Sequence, residues 1–146
     1  MGLKQFSQNV AVREQVAPAL LAAGAANGTT INVLAAANKN ANFQGAKAVV
    51  HVGAATGTPD SFTVNAKVQD SANDSDWADA TDAEGNAYAM TAITAGGIGT
   101  IENIDIGRLR QYVRLVVTPA FVNGTSPHIY ASAVLVLGNS QENPVT

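Results

Sequence analysis

The chain contains no cysteine. Disulfide staples, thiolate metal sites and cysteine nucleophiles are therefore excluded, and the redox compartment is left unspecified. Histidine is almost as scarce. His51 and His128 are the only two, too few and too far apart for a zinc site. No Gly-x-Ser-x-Gly elbow presents a serine to either ring, so both read as structural. Charged residues make up 13% of the chain, about half the usual share, and a surface this poor in charge favours coverage by partners. Eight basic residues and a formal net charge of −3 leave no basic stripe for nucleic acid. The one cluster, Arg108, Arg110 and Arg114, shares a parity and is expected on one face of a strand, solvated or at an interface. No run approaches the ~18 apolar residues of a membrane helix. The opening Met1–Asn9 lacks the charged-then-apolar order of a signal peptide, so synthesis in a cytoplasm without export is expected. No glycine-rich segment leads into Lys and a helix, which leaves phosphate cradling unsupported. No cofactor is expected.

What is there is alternation. Apolar residues reach 47% but aromatics only 5%, and small Ala and β-branched Val suit thin sheets with little bulk around a pocket. Phe62, Val64, Ala66 and Val68 alternate with Thr63, Asn65, Lys67 and Gln69, a half-buried strand with one wet face. Ile104 and Ile106 flank Asp105. Val113, Leu115 and Val117 oppose Tyr112, Arg114, Val116 and Thr118. Segments 31–34, 46–52, 87–93 and 128–137 are further strands, with 77–81 a weaker one. The total is about eight, at the spacing of a sandwich or barrel. The two apolar runs around Asn123-Gly-Thr-Ser-Pro127 predict a long β-hairpin. The fold expected is all-β: an antiparallel β-sandwich of jelly-roll or immunoglobulin-like type. An N-terminal arm (1–28) precedes the sandwich domain (29–138), and a short tail (139–146) follows it. Within the arm, Pro18 and Gly24 would suit the ends of a helix over 12–26, although pairing could equally hold that segment extended.

Six of the eleven acidic residues fall in the loop 70–84. Asp70, Asp74, Asp76 and Asp79 could offer oxygens to Ca²⁺, but the loop has neither the turn glycine nor the closing glutamate of an EF-hand. A solvated turn into Trp77 is the preferred reading, with Trp77 covering one end of the core.

Three segments in order resemble a family of structural proteins of tailed bacteriophages encoded among head genes. They are His51-Val-Gly-Ala-Ala-Thr-Gly-Thr-Pro59 leading into Ser61–Asp70, then Ser75-Asp-Trp-Ala-Asp79, then Tyr112–Gly138 with its Tyr-Val-Arg and Gly-Thr-Ser-Pro. The resemblance spans roughly residues 46–138, and the tail Asn139-Ser-Gln-Glu142 departs from it. It implies a virion protein, foremost a decoration (cement) protein on the outer capsid surface that stabilises the mature head. Its partners would be the major capsid protein and further copies of itself, commonly as a homotrimer, with neither nucleic acid nor membrane. Phe6 and Val10 on the arm, with Tyr112, Arg114 and Tyr130 on exposed sheet, are the expected interface residues. A head-fibre or tail-associated protein is the second reading. A third is a carbohydrate-binding adhesin module using Trp77, Tyr88 and a Ca²⁺-loaded acidic loop. No acid, base and nucleophile converge in the sequence, so no enzyme is expected.

Overall fold

The computed structural model describes residues 10–34 and 43–140. The long strands are β1 (Ala11–Leu21), β4 (Phe43–Thr56), β5 (Ser61–Ser71), β7 (Gly97–Asp105), β8 (Tyr112–Val122) and β9 (His128–Ser140). Three two-residue strands join them: β2 (Ala26–Asn27), β3 (Ile31–Asn32) and β6 (Ala78–Asp79). Sheet I has the order β1-β9-β4-β7, and sheet II the order β2-β8-β5-β6 with β3 also on β8. Residues 87–93 continue the outer edge of sheet II along β5 through isolated bridges at Ala89 and Ile93. Where a full strand was expected there is a broken edge.

Successive long strands lie in opposite sheets: β4 in sheet I and β5 in sheet II, then β7, β8 and β9 in alternation. That alternation makes the sandwich a jelly roll rather than an immunoglobulin-like fold, in which hairpins keep neighbours in one sheet. It also overturns the hairpin expected at 123–127. β8 pairs with β5, and β9 pairs with β1 and β4, so the turn between them is an arch from sheet to sheet. Alternation is identical in a hairpin and in an arch, because both bury every second side chain.

The expected arm is corrected as well. Residues 11–21 form β1, an edge strand on β9, and 26–27 form β2 on β8. The sandwich therefore includes residues from Ala11 onward, and the helix that 12–26 would also have suited is absent. Pro18 is tolerated because β1 is an edge strand whose register is broken between Val16 and Ala19. Pro119 lies within β8, but its carbonyl accepts from Gly24 N–H at 3.1 Å. Its missing donor thus points beyond the end of β2, where no ladder is lost.

The core lies between the sheets. Ala48, Val50 and Val52 of β4 and Ile129, Ala133, Leu135 and Leu137 of β9 face Val64, Val68, Leu115 and Val117. At one end the arches 57–60 and 123–127 interlock. Thr125 N–H donates to Gly57 O at 2.8 Å, and the Asn123 side chain donates to the Asp60 carboxylate. Gly57 and Gly124 have φ of +76° and +96°, and a Cβ on Gly124 would stand 2.8 Å from Gly57 O. Glycine is required there by both space and conformation.

Candidate assembly surfaces

The two outer faces differ in chemistry. On sheet I the register sets outward side chains in cross-strand rows: Leu20 beside Tyr130, Ser132 beside His51 and Ile98, Glu14 beside Val134, Val49 and Thr100, and Val12 beside Val136 and Lys47. Four of the six exposed large apolar side chains among the described residues are here. They are Val12 (59% exposed), Leu20 (44%), Ile98 (67%) and Tyr130 (53%). The half-buried Val49, Val134 and Val136 fill the middle. Glu102 pairs with Lys47 at 2.9 Å, and this bond, followed by one from Thr100, holds its carboxyl below the usual range. At the Leu20–Tyr130 end Gly53 contributes no side chain. A depression of about 410 Å³ opens there between Pro18, Leu20, His51, Tyr130 and Ser132.

Sheet II presents a polar outer face. Lys67 bonds Asp79, whose carboxyl is held low by Lys67 and then Gln69. The Arg114 guanidinium lies 4.1 Å over the Trp77 ring while bonding Gln69 Oε1 at 2.9 and 3.2 Å. Trp77 therefore sits half-buried beneath an arginine on the outside of the sandwich and does not cover an end of the core. Arg108 falls in the short 3₁₀ turn Ile106–Arg108, so the three arginines do not share a strand face. Arg110 grips Asp70 through Nε and Nη2 at 3.0 and 2.8 Å, and its own N–H reaches the other carboxylate oxygen at 2.9 Å. The pairing raises the arginine's pKa.

Of the expected interface residues, Tyr112 and Arg114 lie together on the outer face of sheet II, both half-buried. Tyr130 is on the opposite sheet, and Val10 stands half-buried just before β1. Phe6 lies outside the described residues. The acidic loop is an internally bonded turn. Asp74 accepts from Thr30, Asp76 from Asn73, and Asp82 from Asn86 and Glu84 N–H, the Asn86 bonds holding the Asp82 carboxyl low. Among the described residues no three His, Asp or Glu side chains gather to hold a metal. Tyr88 is buried and its hydroxyl accepts from Asp105 N–H at 3.2 Å. His51 is exposed on sheet I, and His128 Nδ1 lies 2.7 Å from Ser126 O.

Ile98, Leu20, Val12 and the three valines were missed as surface residues. A signal existed: Tyr130, Val134 and Val136 alternate with Ile129, Ala133, Leu135 and Leu137, so β9 is apolar on both parities. A strand of that kind reads as covered on both faces.

No protein-family model matches the chain, and no curated protein does. Three solved structures are similar over most of it. The structure of PirA has a TM-score of 0.42 at 10% identity, covering 94% of this chain and all of that one. Desmodium yellow mottle tymovirus gives 0.36 at 14%, covering 94% and 85%. Turnip yellow mosaic virus gives 0.33 at 12%, covering 98% and 87%. Likenesses this distant carry no conclusion about function.

Proposed function

We propose that this chain is a non-catalytic virion structural protein that decorates the outer surface of a bacteriophage capsid and stabilises the mature head. The observation that carries the reading is the apolar outer face of sheet I, a broad surface on a protein in which only 13% of residues are charged. Such a surface is built for protein contact, either with the shell or with a further copy carried on it. The ordered motifs that resemble those of phage head proteins give that contact a setting. Two of them, Gly57-Thr-Pro59 and Asn123-Gly-Thr-Ser-Pro127, are the arches that interlock at one end of the sandwich. A protein that binds only the assembled shell adds its binding free energy to the stability of that shell, and many copies on one lattice make weak individual contacts sufficient. The adhesin reading is disfavoured, since Trp77 is covered by Arg114 and Tyr88 is buried.

Cryo-electron microscopy of particles carrying the protein tests this reading. Density for the sandwich repeating over the outer shell is the expected result. Density confined to the tail or to head fibres would favour the second reading, and absence from particles would overturn both.

A further inference from the structure

We infer that the outer face of sheet I is a self-association surface, on which a second copy of this chain stacks face to face about a twofold axis running along the strands. The inference rests on reading the chain as an assembly protein, but not on which particle it joins.

The size fits. Four strands at about 4.8 Å spacing and about ten residues of length give a footprint roughly 20 Å by 35 Å. That is about 700 Å² before side-chain relief is counted, close to the ~800 Å² per partner of a stable interface. Charge fits too. Only Glu14, Lys47 and Glu102 carry charge on this face, and Lys47 and Glu102 already neutralise each other. Each copy of a chain with net charge −3 therefore brings to the contact only the one carboxylate of Glu14 that no lysine or arginine on this face pairs.

Shape selects a second copy over an unrelated partner. Ile98, the most exposed large apolar side chain among the described residues, projects from edge strand β7 in the row of His51 and Ser132. The depression beside Leu20 and Tyr130 lies toward the opposite edge of the same face, at that same level along the strands. A twofold axis parallel to the strands sets β7 of one copy over β1 of the other. Each Ile98 then enters the partner's depression, twice per dimer, with Val49 and Val134 meeting at the centre. A self-complementary patch of this kind is what an isologous interface requires. Stacking also covers the face that the doubly apolar β9 leaves open.

The test uses the purified chain. Sedimentation equilibrium should give a concentration-dependent species of twice the chain mass. Ile98→Lys should weaken it roughly tenfold or more by placing a charge in an apolar pocket, whereas Asn65→Asp on sheet II should not. Because the chain has no cysteine, Ile98→Cys and Leu20→Cys proteins can be mixed and oxidised. Within one copy these positions are three strands apart, roughly 14 Å, beyond the reach of a disulfide. A cross-link between the two variants, absent when Asn65→Cys replaces either, is the expected result. A wild-type chain that stays monomeric, a dimer indifferent to Ile98→Lys, or no cross-link above the control overturns the inference. Shell binding, measured separately, distinguishes the two failures. Binding by a monomer sinks only the self-association, and a dimer that never joins a particle sinks only the virion role.

Discussion

Gln15 offers the sharpest test of how the two sheets are held together. It belongs to β1 in sheet I, yet the residue is only 3% exposed. It reaches into sheet II at the gap between β2 and β3, where the ladder on β8 is interrupted. There Gln15 Oε1 accepts from Leu115 N–H at 2.7 Å and Nε2 donates to Thr29 O at 2.9 Å, while Gly28 N–H donates to Leu115 O at 2.7 Å. One side-chain amide thus fills the place of a missing strand residue. Gln15→Ala leaves the buried Leu115 N–H without a partner, at about 1–3 kcal/mol, while the part-buried carbonyl of Thr29, an otherwise exposed residue, turns to water for under ~1 kcal/mol. A total near 2–3 kcal/mol lowers the melting temperature of a domain this size by about 5–10 °C. Calorimetry at pH 7 reads the shift, and hydrogen exchange at Leu115 should accelerate relative to its neighbours on β8. Gln15→Leu separates bonding from packing, because it restores bulk without an acceptor and should remain destabilised. If Gln15→Leu melts with the wild type, or Gln15→Ala costs no more than the exposed control Gln44→Ala, the inter-sheet strap is not what stabilises this corner.

Other consequences follow from single sites. Gly124→Ala combines a left-handed φ with a 2.8 Å approach to Gly57 O and should cost about 1–3 kcal/mol by denaturant titration. Asp70→Ala removes the forked bond to Arg110. Because the arginine side chain is 43% exposed, the loss should stay near 1–2 kcal/mol rather than reach that of a buried pair. Asp79, Asp82 and Glu102 have lowered folded-state pKa values, so the unfolded chain takes up protons first as the solution is acidified. Their stabilisation is present above the ordinary carboxylate range near 4 and is lost below it. Melting temperature should fall through that window, less steeply in Asp79→Asn. Trp77 is the sole tryptophan, and Arg114→Ala should shift its fluorescence to the red with little change in stability, which a fluorescence-detected melt reads directly.

Much of the architecture was legible because alternation is a local signal. Val64, Ala66 and Val68, and likewise Val113, Leu115 and Val117, are buried as their parity predicts. The strand at 46–52 lies within β4 and that at 128–137 within β9. Elsewhere local signals failed for a common reason. The arginines share a parity, but Asp105 accepts from Gly107 N–H and starts a 3₁₀ turn, which takes Arg108 out of the strand. Trp77 looked like core because large aromatics usually are, yet Arg114, distant in sequence, offered it a cation.

Sequence alone determined that the chain is all-β, which side of most long strands faces inward, and that no thiol chemistry is available. Periodicity and composition carry those facts residue by residue. Only the tertiary structure decided which strands are partners: that β8 and β9 part into opposite sheets, that β1 belongs to the sandwich, and that Ile98, Leu20, Val12 and Tyr130 share one face. Pairing is chosen by the edges and interiors of distant segments competing for the same hydrogen bonds and the same buried area, and no single stretch of the chain contains that competition.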